Sequence, residues 1–227
     1  MKYNQFIPTL VFLLVANILT AYGQTLAITE HGDSIYVYDN GTWSFELLEE
    51  MPNTESDLAF LSSELSIDTL SKEYKYTSKA KKQAKNARGQ FTIKYDENTW
   101  KRVPPATLNG EAEFAFQSKT TDIWCVVISE ITPIAADKLF RIAIKNMEES
   151  TGSTPEILKT EQRTVNGQQL IRGVLRANFS GIDLIFDTYY FSNDLGSVQF
   201  TTWTSATIWK SNESDILDFL NGFVVDK

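Results

Sequence analysis

The sequence offers few side chains of the kinds that carry covalent or metal chemistry. Its 227 residues include one cysteine, Cys125, and one histidine, His31. A cysteine-cluster zinc site needs several thiolates, and a Ser-His-Asp or Cys-His mechanism would have to use His31, which lies in a predicted turn near the amino terminus. The sequence contains no Gly-rich phosphate loop, no H-E-x-x-H motif and no EF-hand spacing. We therefore predict no catalytic residue of these classes, no metal site and no cofactor.

The acid–base groups that occur many times in the chain are carboxylates. Glu111 and Glu113 lie two positions apart, so on a strand they would share one face, and a pair of carboxylic acids is the minimum for glycoside hydrolysis. No aromatic platform accompanies them in the sequence, and solvated surface acids are the favoured interpretation. The sequence thus favours a non-enzymatic protein over an enzyme, with a carboxylate-dependent hydrolase as the alternative.

Candidate ligand-binding residues lie in a predicted hairpin that turns at Ser180-Gly181. A two-residue turn places Phe179 opposite Ile182 and Leu175 opposite Phe186, so one face is apolar. The other face gathers charged residues. A concave sheet face bearing Arg172, Tyr189 and, from the strand that follows the hairpin, Trp203 is expected to stay partly exposed unless a helix covers it. Opposite charges on adjacent strands usually support each other at about 0.2 to 1 kcal/mol per pair, which favours a structural role over binding. The candidate residues are Arg172, Arg176, Asp183, Asp187, Tyr189 and Trp203.

These residues belong to a predicted α+β domain over residues 89–227. The periodicity predicts strands near 91–95, 112–117 and 123–128, a helix over 132–150 with Thr132 as N-cap, and a short helix over 212–221. Between the two helices it predicts a four-strand meander over 156–165, 168–179, 182–191 and 197–204. One antiparallel sheet with helices after its first strands and at its end is an α+β sandwich.

The amino-terminal 23 residues have the pattern of a secretory signal peptide. Lys2 precedes an apolar run, and Ala21 and Gly23 supply the small residues that a signal peptidase requires, so we place cleavage before Gln24. The run is shorter than the roughly 20 residues of a spanning helix. We therefore predict export to the periplasm, cell surface or medium, without stable membrane insertion after cleavage.

Charge divides the rest of the chain. Residues 24–71 hold ten acidic side chains and no lysine or arginine, whereas residues 72–88 hold seven basic side chains against one glutamate. We assign residues 24–50 to an acidic β-hairpin element that turns at Asn40-Gly41, and residues 51–88 to a linker with a basic run. Because the whole chain has a pI of about 4.8, a solvated linker is favoured over a nucleic-acid-binding segment.

Two resemblances follow from these segments. Asp39-Asn40-Gly41-Thr42-Trp43 resembles the D-x-G-T-W ending of a short hairpin found near the start of secreted proteins of Bacteroidetes-type bacteria. Phe91, Ile93, Tyr95 and Trp100 resemble the opening of the PsbP/Mog1-like fold, an antiparallel sheet packed between helices.

Members of the PsbP/Mog1-like fold are mostly accessory, assembly or binding proteins. The resemblance therefore implies an exported, non-enzymatic module that contacts an unknown envelope protein or small ligand. In a further alternative, the amino-terminal hairpin mediates the protein–protein contact.

Overall fold

The computed structural model describes residues 24–28, 34–38, 43–44 and 65–226. The chain separates into two compact units, one over Asn17–Glu64 and the other containing Leu65–Lys227. The predicted signal peptide over residues 1–23, the Asp39–Thr42 part of the D-x-G-T-W motif and residues 51–64 of the predicted linker lie outside the described residues. The boundaries assigned before residue 65 therefore stay predictions.

The first unit contains a small antiparallel sheet. Its strands are β1 (Gln24–Ile28), β2 (Ser34–Tyr38) and β3 (Trp43–Ser44). Strand β2 pairs with β1 on one side and with β3 on the other. The antiparallel pairing predicted for the β-hairpin element is confirmed in these strands.

The second unit is built on an eight-stranded sheet and a three-stranded sheet. The large sheet has the order β4-β10-β11-β12-β13-β9-β8-β7, and the small sheet has the order β14-β6-β5. Within the described residues, the β4–β10 pair is the parallel one. The strands are β4 (Asp68–Tyr74), β5 (Lys82–Lys85), β6 (Phe91–Tyr95), β7 (Trp100–Val103), β8 (Phe114–Ser118), β9 (Trp124–Glu130), β10 (Glu156–Val165), β11 (Gln168–Phe179), β12 (Ile182–Asn193), β13 (Gly196–Ser205) and β14 (Phe223–Val225).

Two helices cover opposite faces of the large sheet. Helix α1 (Ala136–Thr151) places Phe140 against Tyr190, and helix α2 (Ala206–Leu220) places Phe219 against Phe200. Phe200 pairs with Tyr189, the neighbour of Tyr190, so the two contacts lie on opposite sides of the pleat. The small sheet joins the α2 side, where Phe223 and Phe91 belong to the same core as Phe219. The predicted fold class, an α+β sandwich with an antiparallel sheet between helices, is confirmed.

The helix limits differ from the prediction at their starts. Helix α1 begins after Ala135 and not at Thr132, whose carbonyl oxygen accepts a hydrogen bond from the Ser197 hydroxyl at 2.9 Å and is thereby tied to the sheet. The predicted stop is confirmed, because Gly152 has φ 72° and caps the helix in the left-handed region. Helix α2 begins six residues before the predicted residue 212, directly after β13.

The predicted linker needs a correction from residue 65 onward. Strand β4 pairs with β10, and β5 pairs with β6, so both belong to the sheets of the second unit. In β5, Ala84 is buried against Ile93 while the neighbouring lysines point outward. A single small apolar residue among lysines gives almost no periodicity, which is why charge alone suggested a linker.

Candidate functional site

The predicted register of the β11–β12 hairpin is confirmed. Phe179 lies opposite Ile182 and Leu175 opposite Phe186, with Ser180 and Gly181 both at positive φ in the turn. The same register assigns the candidate residues to faces. Arg172, Arg176, Asp183, Asp187 and Tyr189 share one face, since they occupy alternate positions of paired strands.

Trp203 lies on the other face, which corrects the expected grouping. It pairs with Phe186, and Phe186 is three positions from Tyr189, so the two aromatic side chains point to opposite sides of the sheet. Trp203 and Tyr189 are each 1% exposed. The predicted surface bearing Trp203, Tyr189 and Arg172 is therefore not formed, because residues on both faces of β12 are covered.

Arg172 is the centre of a buried ionic cluster. Its side chain is fully buried, and its guanidinium donates two hydrogen bonds to the Asp187 carboxylate, at 2.8 and 2.5 Å. It donates further hydrogen bonds to Glu161 at 3.2 Å and to Glu213 at 3.1 Å. Burial by itself would lower the pKa of this guanidinium, but the hydrogen bonds and the three carboxylates raise that pKa above its ordinary value. The positive charge of Arg172 is thus balanced by carboxylates from β10, β12 and α2.

Glu213 connects this cluster to the α2 surface. Its carboxylate accepts hydrogen bonds from Lys159 at 2.9 Å, from Lys210 at 2.8 Å and from Arg172. Burial would raise the pKa of Glu213, yet the three cationic donors lower it to about 2. Glu213 is consequently ionised at any ordinary pH and joins helix α2 to strands β10 and β11.

Arg163 extends the cluster toward β4. Its guanidinium bonds Glu161, donates to the Tyr189 hydroxyl at 3.2 Å and lies 4.5 Å above the Tyr74 ring. The Tyr189 hydroxyl in turn donates to the Asn221 side-chain oxygen at 2.7 Å, and burial raises the pKa of Tyr189 to about 12. We call the whole set the Arg172 network; its members are Lys159, Glu161, Arg163, Arg172, Asp187, Tyr189, Lys210, Glu213 and Asn221.

Arg176 and Asp183 form a separate, exposed pair near the hairpin turn. Arg176 donates to Asp183 at 2.7 Å, and the two side chains are 44% and 43% exposed. Asn178 also donates to Asp183, and Glu156 lies 3.6 Å from Arg176. Asp187, although diagonal to Arg176, is bonded to Arg172 instead. The structure therefore divides the predicted charged cluster into a buried part and an exposed part.

The carboxylates of the alternative hydrolase interpretation have different surroundings. Glu113 accepts hydrogen bonds from the Asn86 side chain, the Ala87 backbone N–H and the Ser129 hydroxyl at 2.6 to 2.8 Å. It thereby holds the β5–β6 turn. Partial burial and the charge of Glu130 raise the pKa of Glu111. The acid that influences Glu111 is thus Glu130, while Glu113 is committed to structural hydrogen bonds.

Cys125 is fully buried in the core, and burial raises the pKa of its thiol. Within the part of the chain that the structure describes, no group of three or more His, Cys, Asp or Glu side chains is placed to hold a metal ion. In the same residues, no helix has the length and apolar character needed to cross a membrane.

A surface cleft lies where three elements meet, and sequence analysis did not identify it. It is bordered by the β4–β5 loop, by the β6–β7 turn and by α2, and it is a shallow cleft with a cavity volume of about 70 Å³. Trp100 stacks on Phe219 at 3.8 Å between ring centroids along one side. The side chains that border it include Lys79, Tyr95, Trp100, Asp215, Asp218 and Phe219.

The α2 wall of the cleft carries two carboxylates. Asp215 and Asp218 are exposed and lie one helical turn apart, and neither makes a hydrogen bond or ion pair to another described residue. Partial burial raises the pKa of Asp218, and Asp215 raises it further, while Lys79 opposes the shift. The three-residue spacing of the two acids was visible in the sequence, but the partner elements were not, because the β4–β5 loop lies more than a hundred residues away.

Several solved structures are similar to this chain. The solution structure of the cyanobacterial PsbP protein CyanoP from Synechocystis is similar over 63% of this chain and 91% of that one, with 15% identity and a TM-score of 0.48. LpqN, involved in cell envelope biogenesis of Mycobacterium tuberculosis, is similar over 64% and 90%, with 8% identity and a TM-score of 0.42.

A crystal structure from Bacteroides thetaiotaomicron is similar over 65% of this chain and 49% of that chain, with 11% identity and a TM-score of 0.42. No family model matches the sequence, and no curated protein matches it. At these identities and TM-scores the similarities carry no information about what this protein binds.

Proposed function

We propose that the protein is an exported, non-enzymatic accessory module that binds its ligand or partner at the cleft between α2, the β4–β5 loop and the β6–β7 turn. The observation that carries this proposal is a pair of carboxylates, Asp215 and Asp218, beside the aromatic side chains of Tyr95 and Trp100. Neither carboxylate has a hydrogen-bond or ion-pair partner among the described residues. In contrast, the charged groups of the Arg172 network are already bonded to one another.

The charge of the cleft favours a positively charged group. Among the described residues that border the cleft there are three acidic side chains, Asp96, Asp215 and Asp218, and one basic side chain, Lys79. Asp96 already accepts hydrogen bonds from the backbone and side chain of Asn98, so the α2 acids are the ones available to a ligand. An ammonium or guanidinium group would be attracted to these acids, and its aliphatic stem could pack on the aromatic side.

A defined probe tests this function. The exported protein is titrated with Nα-acetyl-lysine methylamide while amide NMR shifts are followed, and the uncharged norleucine analogue provides the comparison. We expect saturable shifts at Lys79, Tyr95 and Asp218 with the lysine probe, and their loss in D215N/D218N. The matched control D194N removes an exposed acid of the β12–β13 turn and should leave the titration unchanged. Equal shifts with both probes would contradict the proposal.

Export is tested separately. The full chain, expressed in a bacterial host, should appear outside the cytoplasm with Gln24 as its first residue, because the small residues at Ala21 and Gly23 fit the peptidase. Mass spectrometry of the amino-terminal peptide measures this directly. A cytoplasmic protein that retains residues 1–23 would remove the exported part of the proposal and leave the cleft test unaffected.

A further inference from the structure

We infer that the Arg172 network is a positioning device for the cleft: it fixes the α2 wall and the β4 side relative to the sheet. This inference rests on the binding function proposed above. Arg172, Asp187 and Tyr189 would then be positioning residues that never touch the ligand. Their burial, at 0 to 1% exposure, agrees with such a role.

The Arg172 network carries an energetic cost. Burying a guanidinium is unfavourable unless acceptors satisfy its hydrogen bonds and an opposite charge balances it. Replacing a buried ion pair by well-packed apolar residues often leaves the protein equally stable or more stable. Four carboxylate hydrogen bonds to Arg172 provide the match here. Charged groups differ from apolar ones because their contacts are directional: a guanidinium that donates two parallel hydrogen bonds permits one arrangement of its partners.

Helix α2 is held on the sheet by two kinds of contact. Its core side is apolar, with Trp209, Ile216, Phe219 and Leu220 buried, and apolar contact alone constrains rotation and sliding weakly. Glu213 adds directional hydrogen bonds to Arg172 and Lys159. Because Glu213 precedes Asp215 by two residues on the same helix, fixing its carboxylate also fixes where the cleft acids lie.

The wall of the cleft opposite α2 is the β4–β5 loop. Arg163 lies over Tyr74, the last residue of β4, from which the chain continues to Thr77 and Lys79 of the cleft. The Asn166 side-chain oxygen accepts the Tyr76 N–H at 3.2 Å, which ties the chain just after β4 to the β10–β11 turn.

Asn166 also joins this wall to the segment that follows α2. Its amide donates to the carbonyl oxygens of Asn221 and Phe223 at 2.8 and 2.7 Å, and Tyr189 bonds the Asn221 side chain. Both walls of the cleft are thus connected to the same set of polar side chains.

The test uses E213Q, with D183N as the matched control. E213Q keeps the shape of the side chain but removes the charge that Arg172, Lys159 and Lys210 bind. We expect amide hydrogen exchange in α2 to accelerate about tenfold, the factor that corresponds to weakening one charged hydrogen bond. D183N breaks the exposed Arg176–Asp183 pair on the same two strands and should leave exchange in α2 unchanged.

Two readouts separate positioning from simple stability. The amide shifts of Lys79 and Asp218 should move in E213Q and not in D183N, and the lysine probe should bind E213Q at least about threefold more weakly although Asp215 and Asp218 are intact. If E213Q does not fold, Y189F, which removes only the hydroxyl between Arg163 and Asn221, provides the same readouts.

Each outcome is decisive. Unchanged α2 exchange and unchanged cleft shifts in the folded variant would overturn the inference. Changed shifts with unchanged probe affinity would also overturn it, because the network would then be structural only. If the probe fails to bind the unmodified protein, the cleft function fails first, and the exchange data still show whether the network fixes α2.

Discussion

Two arginine–aspartate pairs on the same two strands have opposite surroundings. Arg172 and Arg176 both lie on β11, and Asp187 and Asp183 both lie on β12. The first pair is fully buried beneath α2, whereas the second is more than 40% exposed near the hairpin turn. The same kind of ion pair, repeated four residues further along each strand, therefore serves different purposes. The difference arises because helix α2 covers the first pair and not the second.

The energetics of the two pairs should differ accordingly. An exposed ion pair contributes a few tenths to about 1 kcal/mol, because water screens it and two long side chains lose freedom. Breaking a buried pair costs about 3 to 5 kcal/mol, since the remaining charge stays buried without a partner. Substitution, acid and salt should therefore affect the two pairs differently.

The largest expected effect is that of R172M. Methionine fills much of the arginine volume but leaves Asp187, Glu161 and Glu213 without their shared cation, so we expect the free energy of unfolding to fall by about 3 to 5 kcal/mol. Urea denaturation followed by tryptophan fluorescence measures this. R176M, on the same strand, should lose much less stability, because the pair that it breaks is exposed and screened by water. Equal losses in the two variants would show that burial does not distinguish the pairs.

The second effect is a dependence of stability on acid. The pKa of Glu213 is about 2 in the folded protein, below its ordinary value of 4.5, and the pKa of Glu161 is also lowered. A carboxyl whose folded pKa is lowered stabilises the protein above its unfolded pKa, and this contribution is lost as the pH falls from about 4.5 toward 2.

Substitution assigns that acid dependence to a residue. E213Q should be less stable than the unmodified protein at pH 7 by about 1.5 to 3 kcal/mol, the range for hydrogen bonds to charged groups, and the difference should shrink as the pH approaches 2. Thermal melting between pH 7 and pH 2 measures it. A difference between the two proteins that is constant with pH would mean that Glu213 acts by shape and not by charge.

The sequence predicted the fold better than the site, and the reason is visible in β11 and β12. The limits of β11, the start of β12 and the register between the two strands follow from local signals, the Ser180-Gly181 turn and the alternation of side chains, and the structure confirms them. Whether a face is covered depends on α2, which begins 13 residues after the end of β12. Pattern alone therefore placed Arg172 and Arg176 in one cluster.

The cleft shows the same limit more strongly. Asp215 and Asp218 come from α2, while Lys79 comes from a segment that charge had assigned to a linker. Because the hydrophobic periodicity of β4 and β5 is weak, the sequence alone did not indicate that this segment belongs to the sheets. A site formed by elements distant in sequence requires the tertiary arrangement, which composition and spacing do not contain.

The smallest effect concerns salt, and it separates the two pairs without changing the core. At 1 M NaCl the screening length falls to about 3 Å, so an exposed pair loses most of its attraction while a buried pair keeps it. We expect the stability difference between the unmodified protein and D183N, already small at low salt, to approach zero. The difference between the unmodified protein and E213Q should largely persist, because Arg172 has no contact with solvent. Denaturation curves at 0.05 and 1 M NaCl measure both, and a loss of the E213Q difference at high salt would show that solvent ions reach the network and that α2 does not seal it.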